Sequence, residues 1–350
     1  MTLLLLSLLL AQSPDAAPDA GPLAEVADAG LPLPVFTPRA DAIGDYTARF
    51  PSEGTPQNAF SAPRVQVGVD GQWLGASARV VLEGAFSTSG GALVGISGDS
   101  IAIRLREAWG GYRWRWLEGR FGVVPTLSIP ELERGFRFRG LAADALESTK
   151  LLAPADFGAT LKVHLPGEFG WVGAAVTNGE GYTSRELNDG KNVELTALVH
   201  PLAGTRAAPL EVVALGSFGS TGLPAIATTR VGGGVQWSTA PLGVGASAFY
   251  ARGLLSDPSR EGVVLQAFAR ATLFEHLLLA ARVQWFKRSL SADDAVVDTL
   301  LGVGGSIAFL EAFVAWGRTL ALGAARTALP GLDGHELRVV LRFRWPEWTP

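Results

Sequence analysis

The sequence predicts an all-β protein, a transmembrane antiparallel β-barrel of about 16 strands, with 14 as the alternative count. Three observations predict this class. Apolar and polar residues alternate over most of the chain, and no long apolar run occurs. The spacers between the alternating segments are short and long in strict succession. A period of two residues is the pattern of a β-strand with two unlike faces. Short periplasmic turns at one rim and long extracellular loops at the other are typical of barrels that span an outer membrane.

The composition excludes several other classes of protein. With 48% hydrophobic and 18% charged residues, the chain is too apolar to be disordered. Its longest apolar run lies within residues 3–11 and is interrupted by Ser7, whereas a membrane-spanning helix needs roughly 20 residues. The absence of cysteine excludes disulfides, zinc-thiolate sites and catalytic thiols. The net charge of −4 provides no basic field for nucleic acid, so no nucleic-acid partner is expected.

The N-terminal part of the chain differs from the rest. Residues 1–11 combine an apolar core with a small residue, Ala11, at the end, which indicates a secretory signal peptide. Residues 12–62 are rich in Ala, Pro and Asp and are expected to form a linker. The barrel is expected over residues 63–350.

Regular alternation begins at Arg64 and recurs in fifteen segments that end at Trp345. The first segment leads into a short turn, and the last one ends on the short-turn side. Because bacterial barrels have an even number of strands with both ends at this rim, one strand is missing before Arg64. We expect a weak first strand within residues 33–50, inside the linker, which gives the count of 16.

The last strand shows which face meets lipid. Leu337, Val339 and Leu341 alternate with Arg338, Val340 and Arg342. An arginine on the lipid face would cost up to about 2–4 kcal/mol near the membrane midplane, so the basic face must point into a wet lumen. The same alternation in the other strands predicts ten pore-lining, anion-binding cations: Arg79, Arg104, Arg106, Arg120, Lys162, Arg230, Arg282, Arg338, Arg342 and Arg344. On these faces it identifies two acids, Glu83 and Glu118, and strand-end aromatics such as Trp171 and Trp345 suit the interfacial girdles.

One spacer, residues 125–156, is long and has no strand alternation. Long loops in compact proteins are usually functional. We expect this loop to fold into the lumen and narrow it, and to add Arg137 and Arg139 to the pore-lining cations.

Several segments resemble a known family. The hairpin formed by RVQVGVDG at residues 64–71 and ARVVLEGAF at residues 78–86 resembles the opening hairpin of the phosphate-selective porins. The segments LREAWGGY at residues 105–112 and EGRFG at residues 118–122 are similar to the next hairpin of that family, and GAAVTNGEG at residues 173–181 is similar to its strand that ends in an asparagine-glycine loop. The resemblance covers about residues 64–191.

The resemblance implies a 16-stranded outer-membrane porin that passes anions along rings of arginine and lysine. The expected function is a passive diffusion channel for small anions such as phosphate or carboxylates. Outer-membrane lipids and small anionic or polar solutes are the expected partners, and assembly as a homotrimer is implied. No cofactor, no metal and no enzymatic activity are expected.

Two other functions remain open from the sequence. A structural or adhesive outer-membrane barrel could have its lumen plugged by residues 125–156. An outer-membrane lipid-modifying hydrolase would need a serine, a histidine and an acid at one rim, yet the four histidines, at positions 164, 200, 276 and 335, are far apart and none has metal-ligand spacing.

Overall fold

Sixteen β-strands form one closed antiparallel barrel, in which consecutive strands pair and the last strand pairs with the first. This computed structural model describes residues 32–87, 100–183, 189–205, 208–221, 226–255, 257–274, 276–329 and 331–345. The predicted fold class and strand count are confirmed. The strands are β1 (Val35–Pro51), β2 (Gln57–Trp73), β3 (Ala76–Ser87), β4 (Ser100–Trp114), β5 (Leu117–Pro125), β6 (Ala155–His164), β7 (Gly170–Thr177), β8 (Asn192–Val199), β9 (Leu210–Thr221), β10 (Ile226–Ser238), β11 (Leu242–Leu254), β12 (Asp257–Leu273), β13 (Leu277–Ser289), β14 (Asp294–Ile307), β15 (Leu310–Gly323) and β16 (Gly334–Trp345).

The helices are short and lie outside the strands. They are α1 (Ile129–Phe136), α2 (Ala145–Ser148) and α3 (Ala324–Ala328), with a 3-10 turn at Pro166–Glu168. No helix in the described ranges is long and apolar enough to cross a membrane.

The first strand, β1, begins at Val35 and lies almost wholly within the range expected for it, residues 33–50. The barrel therefore starts inside the expected linker and not at residue 63. Prolines concealed this hairpin, since they lack a backbone N–H and break the alternating pattern. The structure accommodates Pro63 at an irregularity where Ile43 pairs with Arg64 and Asp45 pairs with Ser61, so β2 has one extra residue there. The expected signal peptide, residues 1–11, lies outside the described residues.

The outer surface of the barrel is apolar, as the alternation of β16 predicts. Leu337, Val339 and Leu341 are exposed on the outside, while Val340 and Arg342, on the other face of the strand, are buried inside the barrel. Trp73, Trp114 and Trp345 are exposed at the end of the barrel where the short turns lie. Such aromatic side chains suit the boundary between hydrocarbon and water. Trp171, by contrast, is buried inside the barrel, so its assignment to a girdle is wrong.

The two rims differ as expected. Two-residue turns join β2 to β3, β4 to β5 and β14 to β15 at one rim. The turns at Leu74 and Arg115 place these residues at positive φ, 46° and 53°, which tight antiparallel hairpins require of their central residues. The longest described connection at the opposite rim is residues 126–154, between β5 and β6, which we call loop L3.

Candidate pore and its constriction

Loop L3 lies inside the barrel, which confirms the expectation for this segment. Its neck is closed by a hydrogen bond from the Thr126 amide to the Pro154 carbonyl, 3.1 Å long. Ile129, Leu141 and Leu146 are each no more than 1% exposed, although they belong to a loop. The barrel wall therefore surrounds L3.

Apolar contacts attach L3 to one side of the wall. Leu132 and Leu146 belong to a cluster with Val213, Phe249 and Val264 of β9, β11 and β12. A second cluster joins Phe136, Phe138 and Leu141 to inward-facing residues of β1 and of β13 to β16, which are Ile43, Leu278, Ala280, Leu300, Phe313, Ala315 and Val340. The expected wet lumen is therefore limited to part of the interior, because this side is an apolar core shared by loop and wall.

Polar wall residues hold the backbone of L3 at several points. Arg270, Arg282 and Arg338 donate to the carbonyls of Gly135, Ala143 and Leu141 at 2.7, 2.5 and 2.9 Å. A buried carbonyl without a hydrogen-bond donor is unfavourable. The apolar clusters offer no donors, so these three arginines supply the hydrogen bonds that the buried carbonyls of L3 need. They fix the position of the loop.

A carboxylate of the wall caps helix α1. Glu194 of β8 accepts hydrogen bonds from the Leu127 and Ser128 amides at 3.1 and 2.9 Å. The side chain of Ser128, the N-cap residue, makes no capping hydrogen bond. The N-cap amide of a helix lacks an intrahelical acceptor and carries partial positive charge. The 2% exposed Glu194 accepts from this amide, and it also holds the Leu127 amide just before the helix.

The opposite side of L3 faces a water-accessible space, which we call the lumen cavity. It has a volume of about 750 Å³ and lies between L3 and charged residues of the wall. Its lining contains eleven arginines and lysines, which are Arg64, Arg79, Arg106, Arg113, Arg120, Arg134, Arg137, Arg139, Lys162, Arg342 and Arg344. It contains seven carboxylates, which are Asp41, Asp70, Glu107, Glu118, Glu131, Glu133 and Glu168. The lining has an excess of cations although the whole chain has a net charge of −4.

The twelve cations predicted to line the pore fall into two groups, those that line the lumen cavity and those that do not. Eight of them line the lumen cavity: Arg79, Arg106, Arg120, Arg137, Arg139, Lys162, Arg342 and Arg344. Four are not among its lining residues: Arg104, Arg230, Arg282 and Arg338. Arg282 and Arg338 face inward as predicted, but they bind L3.

Acids accompany most cations of the wall, so the predicted ratio of ten cations to two acids is wrong. Arg79 and Arg39 share Asp70, and Glu118 binds both Arg120 and His164. Asp70 was not among the acids identified from the sequence. It shares a face with Arg64 in an alternating segment, so the alternation itself could have identified both residues as facing the lumen.

A β-bulge explains another acid that sequence reasoning missed. The register between β3 and β4 shifts between Val81 and Leu82, so that Leu82 pairs with Leu105 and Val81 with Glu107. Arg106 and Glu107 are consecutive, and both are buried on the inside. A bulge places two neighbouring residues on one side, which simple alternation does not anticipate.

Charged side chains connect L3 to β2, β3 and β4 across the lumen. Arg139 of L3 forms ion pairs with Glu133 and Glu147 of the same loop. Arg64 of β2 lies 3.9 Å from both Glu147 and Glu83. Arg106 donates to Glu83 at 2.9 Å. We call Arg64, Arg106, Arg139, Glu83 and Glu147 the constriction.

A second loop reaches the constriction. Tyr182, in residues 178–191 between β7 and β8, donates its hydroxyl to Glu83 at 2.6 Å. Burial raises the pKa of Tyr182 to about 12, and the hydrogen bond to Glu83 acts in the same direction. The phenol therefore stays protonated and keeps donating. Glu83 also accepts from Gln66 and Arg106. The Arg106 guanidinium compensates the negative charge of Glu83.

The acids of L3 form a close group around Arg139. Oxygens of Glu133, Asp144 and Glu147 lie within 4.8 Å of one another. Burial, and then the nearby Glu147 carboxylate, raise the pKa of Asp144 from 3.8 to about 6. Burial and the neighbouring Arg64 lower the pKa of Arg139 to about 9. Arg139 already supplies the cation that these acids need.

Comparisons with known proteins bear on the fold. No protein-family model and no curated protein matches the sequence. Among solved structures, the anion-selective porin from Comamonas acidovorans is similar, with 13% identity, a TM-score of 0.61, and coverage of 89% of this chain and 100% of that chain. The in-vitro folded outer membrane protein OmpT of Vibrio cholerae, in a trimer form, has 14% identity, a TM-score of 0.61, and coverage of 89% and 99%. The outer membrane channel DcaP of Acinetobacter baumannii has 11% identity, a TM-score of 0.60, and coverage of 89% and 97%.

At these identities the likeness establishes a shared fold. Together with the apolar exterior, it defines the class of protein: the chain is a 16-stranded β-barrel of the outer-membrane type.

Proposed function

We propose that this protein is a porin-type channel of the outer membrane through which small anionic and polar solutes diffuse. The observation that carries the proposal is the lumen cavity, which is lined on one side by L3 and on the other by charged residues of β1 to β6 and β16. Water and ions need a polar path of this kind, and the other side of the interior is filled by L3 and the apolar clusters that attach it to the wall.

The excess of cations in the lining supports a preference for anions. Rings of arginine or lysine favour anions in narrow aqueous paths. Two of the lining arginines, Arg113 and Arg137, are exposed, and within the described residues neither side chain forms an ion pair. Their guanidinium groups are therefore the ones most available to a passing solute.

The solutes are proposed to be phosphate or carboxylates. A guanidinium binds both groups through two parallel hydrogen bonds, whereas lysine offers a point charge. Ten of the eleven lining cations are arginines. We also propose a homotrimer, which is supported by the trimer form described for the similar Vibrio cholerae protein.

Planar-bilayer recording of the refolded protein tests the channel itself. Discrete current steps are expected in potassium chloride. A folded barrel that inserts but never conducts would instead favour the plugged structural barrel, for which the apolar packing of L3 across the lumen is the supporting observation.

Charge reversal at Arg137 tests the preference for anions. In a salt gradient, the wild type should give a reversal potential of anion sign, and Arg137→Glu should shift it towards cations, because an unpaired cation becomes an acid. Arg137 has a φ of 65°, which asparagine tolerates well, so Arg137→Asn provides an unstrained neutral variant with an intermediate shift.

Arg326→Glu is the matched control for this experiment. Arg326 is an arginine of α3 whose side chain is 65% exposed, and it does not line the cavity. Its replacement should leave the reversal potential unchanged. Cation preference in the wild type, or an equal shift in both reversal variants, would overturn the anion preference and leave the barrel intact.

A further inference from the structure

The outer face of the barrel carries a polar row across its last three strands. Thr299 of β14, Arg318 of β15 and His335 of β16 are direct cross-strand partners. Arg318 shares its face with Val314 and Trp316, which are exposed on the outside, whereas the intervening Ala315 is buried. His335 likewise shares the outer face of β16 with Leu337.

The level of this row follows from strand geometry. His335 and Trp345 lie ten residues apart on β16. At about 3.3 Å per residue and a tilt of about 40°, these ten residues rise by about 25 Å along the membrane normal. An apolar band is about 25 Å tall, and Trp345 marks its short-turn boundary. His335 and Arg318 therefore lie at the opposite boundary, where the headgroups of the outer leaflet begin.

The hydrogen bonding of Arg318 leaves most of its donors free. One terminal nitrogen of Arg318 lies 2.7 Å from Nε2 of His335. Since the guanidinium can only donate, Nε2 of His335 accepts and its proton is on Nδ1. Over the described ranges, Arg318 has no carboxylate partner, and its Nε and second terminal nitrogen make no hydrogen bond.

The surroundings of this pair fit an acyl-linked headgroup. The imidazole ring of His335 lies 5.6 Å from the Trp316 ring, centroid to centroid. Trp316 is 39% exposed on the outer surface. An aromatic ring at this level provides an apolar surface for the start of an acyl chain, while the remaining donors of a guanidinium match two oxygens of a phosphate.

We propose that Arg318, held by His335 and bordered by Trp316, is a binding site for the phosphate of an outer-leaflet lipid. The guanidinium donates to two phosphate oxygens, and the acyl chain lies along Trp316 and Leu337. The site is outside the lumen. It depends on the orientation of the barrel in the membrane and not on whether the pore conducts.

Native mass spectrometry of the refolded barrel in detergent micelles tests this site. The probes are phosphatidylglycerol, a phosphate-free digalactosyl diacylglycerol, and inorganic phosphate. The wild type should retain one phosphatidylglycerol in preference to the galactolipid, and Arg318→Gln should lower its occupancy about tenfold, as expected for the loss of a charge-assisted contact. Arg318→Lys, which keeps the charge without the paired geometry, should give an intermediate occupancy.

Arg252→Gln is the matched control, because Arg252 is another exposed arginine of the same barrel, whose Nε donates to the Pro258 carbonyl. It should bind phosphatidylglycerol as the wild type does. Reduced gel mobility on heating shows that each variant is folded. Equal binding by Arg318→Gln, equal retention of the galactolipid, or binding of inorganic phosphate as tight as that of the lipid would each overturn the proposal. A trimer that dissociates in Arg318→Gln, without lipid binding in the wild type, would identify a second copy of the chain as the occupant.

Discussion

At the scale of single residues, buried acids organise the lumen by different means. Glu194 has no cation partner among the described residues and is satisfied by donors, namely two amides of L3 and the Thr196 hydroxyl. Asp144 caps α2 by accepting from the Leu146 amide at 2.8 Å. Burial penalises an ionised carboxylate. Each of these two acids therefore needs the backbone amides of L3 as hydrogen-bond donors, and in turn holds that part of the loop in place.

Replacing Glu194 should loosen the start of L3. In Glu194→Gln one acceptor oxygen becomes a donor, so one of the Leu127 and Ser128 amides loses its partner, at about 1–3 kcal/mol. Hydrogen exchange at these amides should accelerate by about tenfold or more. Thr196→Val is the control, because it removes a donor to Glu194 and leaves both oxygens of Glu194 available to the two amides of L3. Unchanged exchange in Glu194→Gln would show that L3 is held without this cap.

Asp144 should give the barrel a dependence of stability on pH. Its pKa in the folded state, about 6, exceeds the ordinary value of 3.8, so the folded state binds the proton more tightly. The stabilisation is complete below pH 3.8 and is lost as the pH rises through 6. Linkage gives a difference of about 3 kcal/mol between pH 3 and pH 7.

Urea unfolding of Asp144→Asn at several pH values measures this contribution. Asparagine can still accept from the Leu146 amide, so the cap is kept and this part of the pH dependence should disappear. Asp293→Asn is the control, since the Asp293 side chain is 82% exposed. A pH dependence of Asp144→Asn equal to that of the wild type would contradict the assignment.

At the scale of elements, L3 has two unlike sides. One side joins the apolar clusters of the wall, and the other presents Arg134, Arg137 and Arg139 to the lumen cavity. A loop with only polar contacts would move within the lumen. Apolar packing on one side holds L3 in place, so that its charged side has a defined position.

Deletion of residues 132–145 should widen the lumen. Single-channel conductance is expected to rise severalfold, because the deletion removes most of α1 and the three arginines of L3. The barrel should also lose stability, since Phe313 and Leu300 would then face water. Deletion of residues 53–55, which are exposed in the connection between β1 and β2, is the control. If conductance stays constant in a folded deletion variant, L3 does not limit the current.

Sequence reasoning succeeded for elements whose environment is simple. A strand between lipid and water shows its period directly, and β16 was assigned face by face. The first strand was recognised only from the even number of strands that a barrel requires, because its prolines break the period.

The packing of L3 on β9 to β16 could not be inferred from the sequence, since inward residues such as Phe249 and Phe313 have partners only in the folded chain. Glu107 was missed because the bulge depends on pairing with β3.

At the scale of the whole molecule, one ion pair fastens the two ends of the barrel. Arg342 of β16 binds Asp41 of β1 through two hydrogen bonds of 2.9 and 2.8 Å. Both side chains are at most 5% exposed. This fork geometry links the strands at which the sheet closes on itself.

Asp41→Asn should weaken this closure. Removing one partner of a buried ion pair destabilises a protein by about 3–5 kcal/mol. The loss in Asp41→Asn should fall at or below the lower end of this range, because the Glu311 carboxylate remains 3.8 Å from the Arg342 guanidinium. The temperature at which the folded band disappears from a detergent gel should fall. Lys287→Gln, which breaks a pair with the 82% exposed Asp293, should change this temperature little. Equal thermal stability of Asp41→Asn and the wild type would show that the β1–β16 hydrogen bonds alone close the barrel.

The pairing of β1 with β16 also determines when folding can finish. Ala40 pairs with Trp345, and Pro51 pairs with Gly334, so these contacts join residues separated by nearly the full length of the chain. Closing so large a loop has a high entropic cost, and contacts of this kind slow folding. Consecutive hairpins can form as the chain emerges, but the seam must wait for the final strand. Until then β1 remains an open edge that can pair with other chains. The twelve residues of β16 convert an aggregation-prone sheet into a barrel without edges.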